Sequence, residues 1–145
     1  MSPPLALLAV SRRVLYDSLC CDEERDLHQI GSSPPFAAEY RQGTSTIAVG
    51  DEMGTVTMID TMSRDPRNAQ HFSCHHNAIF DLGWVPGQPQ LLTASGDQSI
   101  RLFDVDRSGA FGEVRCFRGH RASVKTLSTL DAYTFASGGR ERRRD

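Results

Sequence analysis

The stretch LLTASGDQSIRLFDV, residues 91–105, decides how the chain is read. Two short apolar runs flank a tight polar centre, Gly96-Asp97-Gln98, and the second run closes on Phe103-Asp104. Both runs have strand length, and a Gly-Asp centre between them signals a hairpin. A lone hairpin needs neither Asp97 at its turn nor Asp104 at its end. The two acids gain meaning only if the pattern recurs.

It recurs on both sides. Residues 47–60 read IAVGDEMGTVTMID, 44 positions earlier, and residues 135–141 read FASGGRE, 44 positions later. The copies align without a gap. Ile47, Leu91 and Phe135 coincide, as do Ala48, Leu92 and Ala136. Val56 meets Ile100, Met58 meets Leu102, and Asp60 meets Asp104. His75 and His120 stand 45 apart. Self-similarity at about 40–45 residues is the period of a four-stranded propeller blade.

Strands fill the period. Ala78, Phe80, Leu82 and Trp84 alternate with Ile79, Asp81, Gly83 and Val85, a period of two that predicts one strand over 78–85. Pro86-Gly87 marks a turn. Leu91–Ser95 and Ile100–Val105 are the next two strands, and a fourth is expected over about Val114–Phe117, ahead of Gly119-His120. No segment carries sustained helical periodicity. The fold class is therefore all-β: a propeller fragment of about two four-stranded blades plus part of a third. Residues 1–33 read as an N-terminal arm with Pro3-Pro4, an acidic run from Asp22 to Asp26, and one strand expected near Val14–Leu19. Residues 34–141 hold the partial propeller, and 142–145 are a basic tail.

Composition agrees with a folded chain and excludes some function classes. The 145 residues are 39% hydrophobic with a formal net charge of −2, a balance that favours neither nucleic acid nor membrane. Of the four cysteines, Cys20 and Cys21 are adjacent, Cys74 and Cys116 are isolated, and none forms a C-x-x-C pair, which points to a reducing compartment. The apolar run Leu5–Val10 is followed, not preceded, by Arg12-Arg13, and it is short for a signal core.

The repeated polar residues suit a fastening role. A His before the first strand, a Ser or Thr in the second and an acid at the next turn can form one hydrogen-bond chain inside a sheet that would otherwise leave polar groups dry. The candidates are His75, Thr93 and Asp97 in one copy and His120 and Ser137 in the next, with Glu141 at the turn-acid position and Met53 there in the first copy. A Trp in the third strand would complete the chain, but Phe103 stands there without an indole N–H.

Gly119-His120 at the head of a repeat, and the blade-end pair Phe103-Asp104 where Trp-Asp is usual, resemble the WD-repeat family over about residues 45–141. The block NAIFDLGWVPG at 77–87 is more particular and resembles the denticleless family. So do ASGDQS, FRGHRASVKTL, ASGGR and, upstream, PPFAAEY followed by TIAVGDEMGTV. That resemblance implies a nuclear, non-catalytic substrate receptor of the cullin-4 RING ubiquitin ligase. Its partners would be the ligase adaptor and replication-licensing and cell-cycle proteins bound to the sliding clamp. It implies no cofactor and no direct nucleic-acid contact. Such receptors dock their adaptor through Trp-Asp-x-Arg, whereas Phe103-Asp104-Val105-Asp106 puts an acid at the Arg position and Arg107 one place late. A carboxylate there reverses the charge and removes a fork of donors, which argues against adaptor docking through this blade.

Other chemistry is weaker. Cys74-His75-His76 lacks a second ligand pair at zinc spacing, so no metal site is expected. His75, Asp97 and Ser95 can be drawn as a hydrolase triad, but no nucleophile elbow accompanies them. Arg140, Arg142, Arg143 and Arg144 form a basic end that reads first as solvated charge. Trp84 is expected to pack, and Arg101 to face solvent. The alternative reading is a WD-repeat scaffold of another complex, in RNA processing or transport, because one fold hosts many functions.

Overall fold

The computed structural model describes residues 33–63, 65, 68–106 and 108–141. The strand expected near Val14–Leu19 and the basic tail lie outside them. Ten strands follow one another: β1 (Pro35–Tyr40), β2 (Thr46–Asp51), β3 (Thr55–Asp60), β4 (Gln70–Ser73), β5 (Ile79–Trp84), β6 (Gln90–Ser95), β7 (Ser99–Val105), β8 (Phe111–Arg118), β9 (Val124–Thr129) and β10 (Phe135–Gly139). They form two four-stranded sheets, β1-β2-β3-β4 and β5-β6-β7-β8, and a two-stranded sheet, β9-β10. Every pairing is antiparallel between chain neighbours.

The repeat is visible in register. Ile47 pairs with Ile59 as Leu91 pairs with Phe103, and Tyr40 pairs with Ile47 as Trp84 pairs with Leu91. Ile47, Leu91 and Phe135 thus sit on the second strand of successive sheets. The histidines are 45 apart, not 44, because the third hairpin is one residue shorter: Thr129 pairs with Phe135 where Trp84 pairs with Leu91.

Each first strand breaks register at the equivalent place, between Pro35 and Ala37, Ile79 and Asp81, and opposite Gly138/Gly139 in β9. A bulge adds one residue and turns the following side chains over. This corrects the unbroken alternation expected over 78–85. Ile79 and Leu82 are both buried, while Phe80 leaves the face it was expected to share with Leu82 and Trp84. Strand β8 also starts three residues earlier than the expected Val114.

Apolar residues fill the two gaps between sheets. Ala48, Val56 and Met58 from the first sheet meet Ile79, Leu82, Trp84, Leu91 and Phe103 from the second. Leu92, Ala94 and Ile100 on the opposite face of the second sheet meet Val124, Leu127 and Phe135 of the third. The second sheet is thus covered on both sides, which explains its run of buried residues, Leu91–Ser95. Strands β1, β5 and β9 lie side by side, so the sheets fan outward from that line. The wider outer gap takes large rings: Phe72 of β4 stacks on Phe111 of β8 at 4.3 Å, and Phe111 on Phe103 at 4.4 Å. This is a propeller-type arrangement of sheets.

Candidate functional site

The second sheet carries a buried polar chain. His75, in the loop before β5, is 4% exposed. Its Nδ1 lies 2.8 Å from Asp97 Oδ2 and its Nε2 2.7 Å from Thr93 Oγ1. Ser99 adds a member that sequence reasoning did not anticipate. Its N–H and its hydroxyl both donate to Asp97 Oδ1, and its Oγ is 3.3 Å from His75 Nδ1. Ser99 adds its donors to the Asp97 carboxylate, at the opposite end of the imidazole from Thr93. Its only sequence signal was its place two residues after the turn acid.

Burial lowers the His75 pKa, against the opposing pull of Asp97. The ring is therefore neutral at neutral pH. The tautomer that fits the network donates from Nδ1 to Asp97 and accepts at Nε2 from Thr93. Burial alone would raise the Asp97 carboxyl, but hydrogen bonds from Ser99 and then His75 bring it down to about 2. The contact is a hydrogen bond between a neutral ring and a carboxylate. The arrangement fixes a loop to a turn.

The third sheet repeats the chain in a more open form. His120 Nε2 is 2.8 Å from Ser137 Oγ and Nδ1 is 3.0 Å from Glu141 Oε1, which also accepts from Arg121 N. The described residues of the first sheet lack it. Val49 stands at the Thr93 position, and Met53, at the Asp97 position, is 69% exposed. Here Asp51 takes over the turn, accepting from Met53 N and Thr55 N at 2.9 Å each. The first turn still holds the His75 loop by backbone, since Cys74 N and His75 N both donate to Gly54 O. Gly54 has φ +84, and a Cβ there would lie 2.3 Å from His75 O. Only glycine fits.

The first strands are tethered in series. Trp84 Nε1 donates to Glu39 O at 3.1 Å, and Thr129 Oγ1 donates to Trp84 O at 3.2 Å. Tyr40, Trp84 and Thr129 are equivalent in register, so each donor reaches back to the preceding sheet. Among the described residues, Tyr40 Oη is buried with no hydrogen-bond partner. Asp81, beside the second bulge, adds a link by accepting from Leu127 N of β9 at 2.7 Å. Burial and then the Asp81 charge raise the Glu39 pKa.

The remaining candidates separate. Phe103 is buried, while Asp104 is exposed and accepts from Gln90 Nε2 at 2.7 Å. Asp106, at the adaptor-Arg position, closes its own turn by accepting from Ser108 Oγ and Ala110 N, which hold its carboxyl below the usual range. Ser95 donates to Asn77 O, not to the imidazole. The Cys74 thiol is pushed up to about 12, first by burial, and it donates to Phe72 O. Among the described residues, no group of three or more His, Cys, Asp or Glu side chains is placed to hold a metal. Arg101 is not a free surface charge: it is half-buried and pairs with Glu113 at 3.0 Å.

Comparison with known proteins agrees with this geometry. The family described as "WD domain, G-beta repeat" matches residues 67–104. The Denticleless protein homolog of Xenopus tropicalis is 36% identical over 128 residues, 83% of this chain and 18% of that protein. Protein lethal(2)denticleless of Drosophila melanogaster is 39% identical over 117 residues, 74% of this chain and 15% of its own. The chain thus spans less than a fifth of the length of these relatives. A solved structure titled "Crystal structure of RRP9 WD40 repeats" superposes with a TM-score of 0.65 over 74% of this chain and 31% of that one, at 22% identity.

Proposed function

We propose that this stretch, a WD-repeat segment homologous to the denticleless proteins, is a non-catalytic protein-interaction module of a ubiquitin-ligase substrate receptor. The observation that carries the reading is the 36% identity to a denticleless homologue over 83% of the chain. The module acts in the nucleus with a cullin-4 RING ligase, for which replication-licensing and cell-cycle proteins are the substrates. Its own side chains do no bond chemistry. His75, Thr93, Asp97, His120 and Ser137 hold loops in place so that the sheet ends present a fixed surface.

The second sheet is not the adaptor-docking unit in this reading, because Asp106 is committed to its own turn and offers no guanidinium. Affinity purification of the tagged full-length protein from nuclei tests the proposal. Recovery of the cullin-4 adaptor is expected. A different stable complex recovered without that adaptor would overturn it.

A further inference from the structure

The first sheet has an outward face, turned away from the second sheet. Ala38 and Tyr40 of β1, Ile47 and Val49 of β2, and Thr57 and Ile59 of β3 share it, as their pairing in register requires. Ala48, Val56 and Met58 take the inner face and meet the second sheet. The described apolar residues packed on Ile47 and Val49 are Ala38, Tyr40 and Ile59, all from the first sheet itself.

Yet this face is closed. Ile47 and Val49 are each 3% exposed, and Thr57 is buried. Side chains of one sheet do not close their own face, because a middle-strand residue stays open above until another layer lies on it. The third sheet shows the bare case: Thr126, Ser128 and Ala136 point away from the second sheet, and all three are exposed. Register shows the covered case. Tyr40, Ile47 and Ile59 correspond to Trp84, Leu91 and Phe103, on which the first sheet lies.

The burial is that of one chain alone, so the missing layer belongs to that chain. Outside the described residues the chain has Arg64, Pro66, Arg67, Arg107, the Arg-Arg-Arg-Asp end at 142–145, and residues 1–32. Only the last of these supplies apolar runs, LALLAV at 5–10 and VLYDSL at 14–19. It also leads directly into β1 of this same sheet. The link from residue 19 to Pro35 can extend roughly 50 Å, against about 14 Å for the width of four paired strands, so reach does not limit it.

We infer that residues 5–19 of this chain bind across the outward face of the first sheet, with the apolar side chains of 14–19 seated on Ile47, Val49 and Ile59. The segment does for the first sheet what the first sheet does for the second. It closes an apolar face that would otherwise invite self-association. The inference does not depend on the ligase assignment.

The test uses the full chain with the photocrosslinking residue benzoylphenylalanine in place of Ile59, which is half-buried on this face. Illumination and peptide mapping are expected to join position 59 to a peptide within residues 1–32. The same residue in place of Thr126, on the bare face of the third sheet, is expected to give that product in a yield lower on the order of tenfold. Thermal unfolding of each variant shows whether the fold is intact. If the variant at 59 does not fold, Tyr40, aromatic already and on the same face, takes the crosslinker instead. A link to a second copy of the chain or to residues 142–145, equal yields from the two faces, or no link from the first sheet of a folded protein would each overturn the inference.

Discussion

The first and second sheets have the same strands, register and bulge, yet they solve their interiors differently. In the second, Thr93, Asp97 and Ser99 surround a sealed imidazole. In the first, Val49 and Ile47 make the same strand apolar, and Asp51 caps the turn alone. Backbone geometry is therefore set by strand pairing and by glycine at the turn, and the polar chain is one of two ways to fill the space. The difference teaches where each sheet is brittle. The apolar version loses packing gradually, whereas the polar version fails when one member leaves the others dry.

The contrast breaks most severely at the joint between the two sheets. Gly54→Ala brings a Cβ against the backbone of His75 and Asn77 at a positive φ. We expect a loss of about 4 kcal/mol or more, read by urea unfolding. Within the second sheet, His75→Ala removes the shared partner of Thr93 and Asp97. The expected loss is about 3 kcal/mol, and a value near zero in the same titration would mean that the chain is ornamental. The reciprocal change, Val49→Thr, puts the second sheet's hydroxyl into the first, where no imidazole is found among the described residues. A cost of about 1–2 kcal/mol is expected by calorimetry, and a gain in stability would erase the distinction between the sheets. His120→Ala, in the exposed copy of the chain, should cost about 1 kcal/mol or less, because water replaces the lost partner.

Acid sharpens the same contrast. The folded pKa of His75 lies below its ordinary value, so the unfolded chain takes up the proton first. That contribution is complete above the unfolded value of about 6.5 and is lost as pH falls below it through the lower folded value. Asp97, also lowered, contributes above 3.8 and loses its share as pH drops toward about 2. Stability should fall in two steps from neutral pH downward. His75→Ala should flatten the upper step in a series of melts across pH, while Val49→Thr should leave it in place.

Much of this was legible in the sequence because the period is rigid. Ile47, Leu91 and Phe135 mark equivalent strands, and residues at fixed offsets from them, such as Thr93 and Ser137, fall beside their histidines without further information. What escaped was local. The bulge at Phe80 leaves the alternation of residue types intact while turning one side chain out, so periodicity cannot report it. The sequence reading does not single out Ser99, because its role depends on a hydroxyl reaching the Asp97 carboxylate in three dimensions. Arg101 was expected in solvent because its strand alternates, but β8 covers it and presents Glu113.

The series of donors along the first strands has one further consequence. Trp84 points to the strand before it, Thr129 points to Trp84, and among the described residues no first-strand side chain donates the other way. Like a one-way ratchet, the stack has a head and a tail, so its units cannot be shuffled or inverted without losing a bond at every seam. At the equivalent point of the first sheet, the buried Tyr40 hydroxyl has no such link among the described residues.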